Sequence, residues 1–171
     1  MKYGISIFPS KKLQDIANSY RKRFDKKYSL IPPHITLKKA FDASEDEISS
    51  ISNYVKQVAH QVEPFTIEIT KAKSFHPANN TIYLKVELAP ELENLNKALN
   101  NEEFFGGNPD GTFIPHLTIA QEISNDEHLD LLAQLTNLNI SHQEKVDRIH
   151  LLYQLEDGYW TVYETFRLGA E

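Results

Sequence analysis

Five residues recur almost unchanged along this chain: Pro-His-Ile-Thr-Leu at positions 33–37 and Pro-His-Leu-Thr-Ile at 115–119, an offset of 82 positions. The echo is part of a longer recurrence. A strand, a helix, the motif strand, a second helix and a further strand follow one another twice, with boundaries near residues 1–80 and 81–171. Two copies are too few for a solenoid, which needs three or more stacked units. The pattern instead predicts one domain of two related lobes, with the two motif strands facing a shared cleft. That is an α+β architecture of two like units, one on either side of the cleft.

Hydrophobic periodicity supplies the elements. Residues 3–8 read as a strand closed by Pro9, and residues 10–27 as a helix with Leu13, Ile16, Ala17, Tyr20 and Phe24 on one side. The motif strand covers 34–41. Ser44 and Glu47 have capping-box spacing before a helix with Ile48, Ile51, Val55, Val58 and Val62 on one stripe. Strands at 65–75 and 81–88 flank a turn-rich segment. After Pro90 a helix carries Leu92, Leu95 and Leu99, and the second motif strand spans 113–120. Ser124 and Glu127 repeat the capping box ahead of Leu129, Leu132 and Leu135, and 146–155 with 160–168 close the chain as a hairpin.

Strand geometry separates each motif into two faces, because residues two apart point the same way. His34 and Thr36 share one face while Ile35 and Leu37 take the other; His116 and Thr118 stand likewise against Leu117 and Ile119. Proline is tolerated at the first residue of a strand, so Pro33 and Pro115 stiffen each entry. Two lobes brought together therefore offer two imidazoles and two hydroxyls. Opening a cyclic phosphodiester needs that set: a base for the attacking hydroxyl, an acid for the leaving alkoxide, and donors to the non-bridging oxygens. Histidine serves either role near neutral pH.

Other chemistries find less support. No cysteine is present, so thiolate nucleophiles, thiolate metal sites and disulfides are excluded. There is no His-Glu-x-x-His, glycine-rich phosphate loop or nucleophile-elbow serine, and two imidazoles alone make an incomplete metal shell. No metal and no cofactor are expected. His60, His76, His128, His142 and His150 share no frame and are read as surface or structural. No apolar run suits a signal peptide or a bilayer span, which makes the cytoplasm the expected location and a membrane an unexpected partner. The net charge is −6, yet residues 1–40 hold ten Lys and Arg against two Asp. That basic region is either a solvated helix face or an attraction for phosphate. Overall acidity favours a small phosphodiester or nucleotide over long RNA, with RNA ends as the larger alternative. Tyr83 is read as a core or surface aromatic, with base stacking as the alternative. The irregular segment 101–113 is either a lid, in which case Phe104 or Phe105 would cover the ligand, or a passive connection.

The paired His-x-Thr-x motifs resemble those that define the 2H phosphoesterase superfamily, which includes RNA 2′,5′-ligases and 2′,3′-cyclic nucleotide phosphodiesterases. Within it the chain is similar to the short, acidic YjcG-like bacterial branch. The resemblance extends to 64–75, 81–86 and 148–169, so it covers nearly the whole chain. It implies a bilobal α+β fold of two antiparallel sheets flanking a central cleft with helices outside, a phosphoesterase activity, His34 as proton donor and His116 as proton acceptor. Nothing in the residues themselves distinguishes the two histidine roles. The reverse reaction, joining RNA ends through a 2′,5′ linkage, and a non-catalytic nucleotide- or RNA-end-binding module both remain open at this point.

Overall fold

A computed structural model describes residues 1–105, 112–138 and 140–169. The order is β1 (Lys2–Ile7), α1 (Lys11–Phe24), β2 (Ile35–Asp42), a 3-10 turn, α2 (Ile48–His60), β3 (Phe65–Ser74) and β4 (Ile82–Val86). Then come α3 (Pro90–Leu99), β5 (His116–Ala120), α4 (Asn125–Leu135), β6 (His142–Val146), β7 (Arg148–Gln154) and β8 (Trp160–Arg167).

Helix starts follow local chemistry. Ser10 Oγ accepts from the Leu13 amide, and Arg21, Lys22 and Arg23 sit in the last turn of α1, where the helix dipole favours cations. Both capping boxes form. Glu47 accepts from the Ser44 amide at 2.9 Å, and Ser124 and Glu127 bond reciprocally at 3.1 and 3.2 Å. Pro90 opens α3, where a missing N–H costs nothing.

The strands form two antiparallel four-stranded halves, β6-β3-β4-β5 and β2-β1-β7-β8, joined into one sheet where β5 meets β2. The registered pair at that seam is Ile35 opposite Leu117, the same position in each copy of the motif. A pseudo-two-fold relating the repeats therefore passes beside this pair. Neither half is made from one repeat. β3 leaves the first repeat to lie beside β4, and β7 lies beside β1. Helices cross in the same sense, with α1 against β5 and α3 against β2.

Three sequence expectations change. β6 has no apolar alternation because it is an edge strand, held against β3 over five residue pairs and carrying a 2.7 Å contact between His142 and Glu144. On α4, Leu129 is 66% exposed and the buried positions are His128, Leu131 and Leu135. The helix turns that way because Ser74 Oγ on β3 meets His128 Nε2 at 2.7 Å, which makes a histidine acceptable inside. The second motif strand starts at His116 rather than 113.

Candidate functional site

Both motifs present the faces that alternation requires. Ile35, Leu37, Leu117 and Ile119 are buried in the core, whereas His34, Thr36, His116 and Thr118 are half-buried on the opposite face. A cleft of about 360 Å³ lies over the seam, lined by His34, Thr36 and Thr118 together with Ser6, Lys39 and Trp160. Ser6 is registered opposite Thr36, and Tyr83 opposite Thr118.

The two imidazoles are held identically. His34 Nδ1 lies 2.9 Å from the Pro32 carbonyl, and His116 Nδ1 lies 2.7 Å from the Ile114 carbonyl. A carbonyl oxygen only accepts, so Nδ1 carries a proton in each ring and Nε2 is the nitrogen left to exchange one. The carbonyl two residues upstream of each His thus fixes tautomer and orientation before any ligand arrives.

Burial pushes both histidines below the ordinary imidazole value, because the charged form loses solvent. The carbonyl bonds oppose this. At His34 the charges of Arg21 and His116 lower the value further and Asp25 raises it; at His116 Lys39 lowers it. The environments differ in kind. His116 is enclosed by rings, with Phe75 edge-on at 5.1 Å and Tyr83 at 5.3 Å. Both shifts favour the neutral form of the ring. An entering phosphate would favour protonation of either.

Several residues of the cleft were missed or misread in the sequence. Arg21 and Asp25 form an ion pair at 3.1 Å with side chains 2% and 1% exposed. Arg21 also donates to the Ile31 carbonyl at 2.6 Å, and Asp25 accepts from Gln121 at the end of β5. This network ties α1 to both motif strands. A signal existed: Leu13, Ala17 and Arg21 are spaced by four, which puts Arg21 on the buried stripe rather than the solvated face. Lys38 is also buried, with its ammonium 5.2 Å from the rings of Phe41 and Phe104, and burial lowers its pKa to about 8. Tyr83 is 4% exposed and belongs to the wall around His116, so it offers no free face for a base. Phe104, 5% exposed and stacked on Tyr54 at 4.3 Å, is core and does not cover the cleft; Phe105 packs beside Phe41. Within the proposed lid, 101–113, positions 106–111 lie outside the described residues.

His150 faces Ser6 in register and contacts Thr165 Oγ1 at 2.9 Å. Among the described residues no three His, Asp or Glu side chains converge as a metal site, and no helix is long and apolar enough to cross a membrane.

This fold is shared with solved structures. The chain superposes along its whole length on TT0787 of Thermus thermophilus (TM-score 0.74, 18% identity, all of both chains). It also matches Escherichia coli LigT without ligand (TM-score 0.67, 15% identity, 98% of this chain and 97% of that one). At those identities the likeness is one of fold. Residues 8–158 match the model of the 2′-5′ RNA ligase superfamily. The chain belongs to that family, the 2H phosphoesterases. A Bacillus licheniformis protein is 53% identical over 174 residues, covering 99% of this chain and 100% of its own. A Geobacillus kaustophilus protein is 49% identical over 171 residues, covering 100% and 98%. Both bear the name "putative phosphoesterase".

Proposed function

We propose that this chain hydrolyses a cyclic phosphodiester at a nucleotide or RNA end, with His34 as proton donor, His116 as proton acceptor and no metal in the reaction. The observation that carries this reading is the mirrored pair of imidazoles, each with Nδ1 tied to a carbonyl so that Nε2 is left to exchange a proton, and each on the same strand face as a threonine. His116 Nε2 takes a proton from water as the water oxygen bonds to phosphorus. The bond from phosphorus to the ribose oxygen breaks, and that oxygen takes the proton from His34 Nε2. Thr36 and Thr118 donate to the non-bridging oxygens, where charge builds. Water then carries a proton from His116 back to His34. LigT, which shares the fold, has been crystallised with 3′-AMP and with phosphate, ligands of the expected kind. The family's description favours one second reading, the reverse joining of RNA ends through a 2′,5′ linkage with the histidine roles exchanged.

The test is product analysis after incubation with 2′,3′-cyclic nucleotides, RNA ending in a cyclic phosphate, and ADP-ribose cyclic phosphate, each with and without chelator. His34→Ala and His116→Ala should each lower kcat by ~10²–10⁴-fold, and the double variant by much less than the product. Because burial holds both free-enzyme pKa values below about 6.5, kcat/KM should peak on the acid side of that value. Binding without turnover of any of these would leave only the binding module. Chelator-sensitive turnover restored by a divalent ion would defeat the metal-free mechanism.

A further inference from the structure

A second cavity, also about 360 Å³, adjoins the first and shares Arg21, Ile31 and Trp160 with it. Beyond that shared wall it is lined by Tyr28, Leu30, Pro32 and Tyr159. Tyr28 and Tyr159 are 42% and 44% exposed, more than a core aromatic would be. Their surroundings are built rather than incidental. Trp160 lies over the backbone of Gly4, where an added Cβ would stand 3.6 Å from the indole, so the sheet offers the ring a flat seat. The Trp160 amide donates to the Leu30 carbonyl at 2.9 Å, which fastens β8 to the segment leading into His34. The Arg21 guanidinium carbon sits 5.7 Å from the Tyr28 ring centre. Exposed Lys22, Lys26 and Lys27 follow on the end of α1 and its turn, and Lys27 reaches the first cavity.

Aromatic faces set beside cations suit one ligand chemistry in particular. Single-stranded nucleic acid binds by stacking successive bases on rings while cations track the phosphates, with little demand on base identity. An acidic peptide or a second copy of this acidic chain could pair with the three lysines but would not set a flat ring against each aromatic face between its charges, as a nucleic-acid strand does. Resting on the proposed function, we propose that Tyr28, Tyr159 and Trp160 form a subsite for the second nucleoside of a single-stranded RNA end. The substrate would then be an oligonucleotide terminus of at least two nucleosides rather than a free mononucleotide.

The chain has one tryptophan, so Trp160 fluorescence reports occupancy directly. Inorganic phosphate, 3′-AMP and the dinucleotide ApA bearing a 3′-phosphate are titrated in turn at fixed salt. The dinucleotide should bind about tenfold or more tightly than 3′-AMP, since base–aromatic stacking contributes roughly 1–3 kcal/mol per base. The Tyr28→Ser/Tyr159→Ser double variant should lose that advantage and keep its affinity for phosphate and 3′-AMP, and isothermal calorimetry confirms the ranking independently of the fluorophore. Equal affinities for 3′-AMP and the dinucleotide would overturn the subsite while leaving the phosphoesterase reading intact. Binding of none of the three probes would overturn both. A dimer dispersed by the same two substitutions, with no dinucleotide advantage, would assign the groove to a second copy and likewise overturn the subsite.

Discussion

Replacing Arg21 with Met should destabilise the fold far more than loss of an ordinary helix-surface arginine. The side chains of Arg21 and Asp25 are almost fully enclosed, and Arg21 Nε donates to Asp25 Oδ2 at 3.1 Å. Met keeps the stem and helix propensity but removes the charge. Asp25 Oδ1 would still accept from the Lys27 amide and the Gln121 amide, at 2.9 and 3.0 Å. Oδ2 would lose its arginine, and the Ile31 carbonyl would lose a donor. Breaking a buried pair from one side costs about 3–5 kcal/mol, a large share of the 5–15 kcal/mol typical of a domain. With a urea m-value of about 2 kcal/mol/M, the midpoint should fall by about 2 M, followed by circular dichroism and Trp160 fluorescence. Arg21→Met/Asp25→Leu should recover most of the loss, because no buried charge is then left alone. A single-variant cost below about 1 kcal/mol, the scale of an exposed pair, would refute this. So would a double variant less stable than the single.

Two further outcomes follow from the site. Thr36→Val and Thr118→Val should each leave folding intact, since valine suits a strand, and lower kcat by ~10²-fold through loss of a donor to the developing charge; a fully active double variant would return both threonines to a structural role. Lys38 holds its proton less tightly when folded, so between pH 8 and 10.5 the unfolded chain carries a proton the folded chain has released, and stability rises with pH across that window. From pH 8 to 9.5, below the ordinary tyrosine value of about 10, the gain should reach up to about 2 kcal/mol. Urea unfolding should show it in the native chain and not in Lys38→Met; an equal gain in the variant would place its origin elsewhere.

Local periodicity determined a good deal of this protein. The capping boxes, the helix stripes and the opposite faces of each motif strand depend on residues within a turn or two, and all but the α4 stripe are found where the spacing puts them. His34, Thr36, His116 and Thr118 share one face of their strands for that reason. The tautomer of each imidazole is local too, being set by a carbonyl two residues away. What tertiary structure decided is which faces meet. The repeat reads as two successive lobes, yet β3 and β7 each pair across repeats, a choice made by partners distant in the chain. β6 is recognisable only against β3, because an edge strand with one polar face carries little alternation of its own. Arg21 and Lys38 look like solvated cations in sequence; Asp25 and Phe41 lie within a few residues of them, but the Ile31 carbonyl and the Phe104 ring reach them only in the folded chain. Tyr83, read as a core or surface aromatic with base stacking as the alternative, and Phe104, a ligand cover only if its loop is a lid, are both buried: burial belongs to the assembled neighbours, not to the residue.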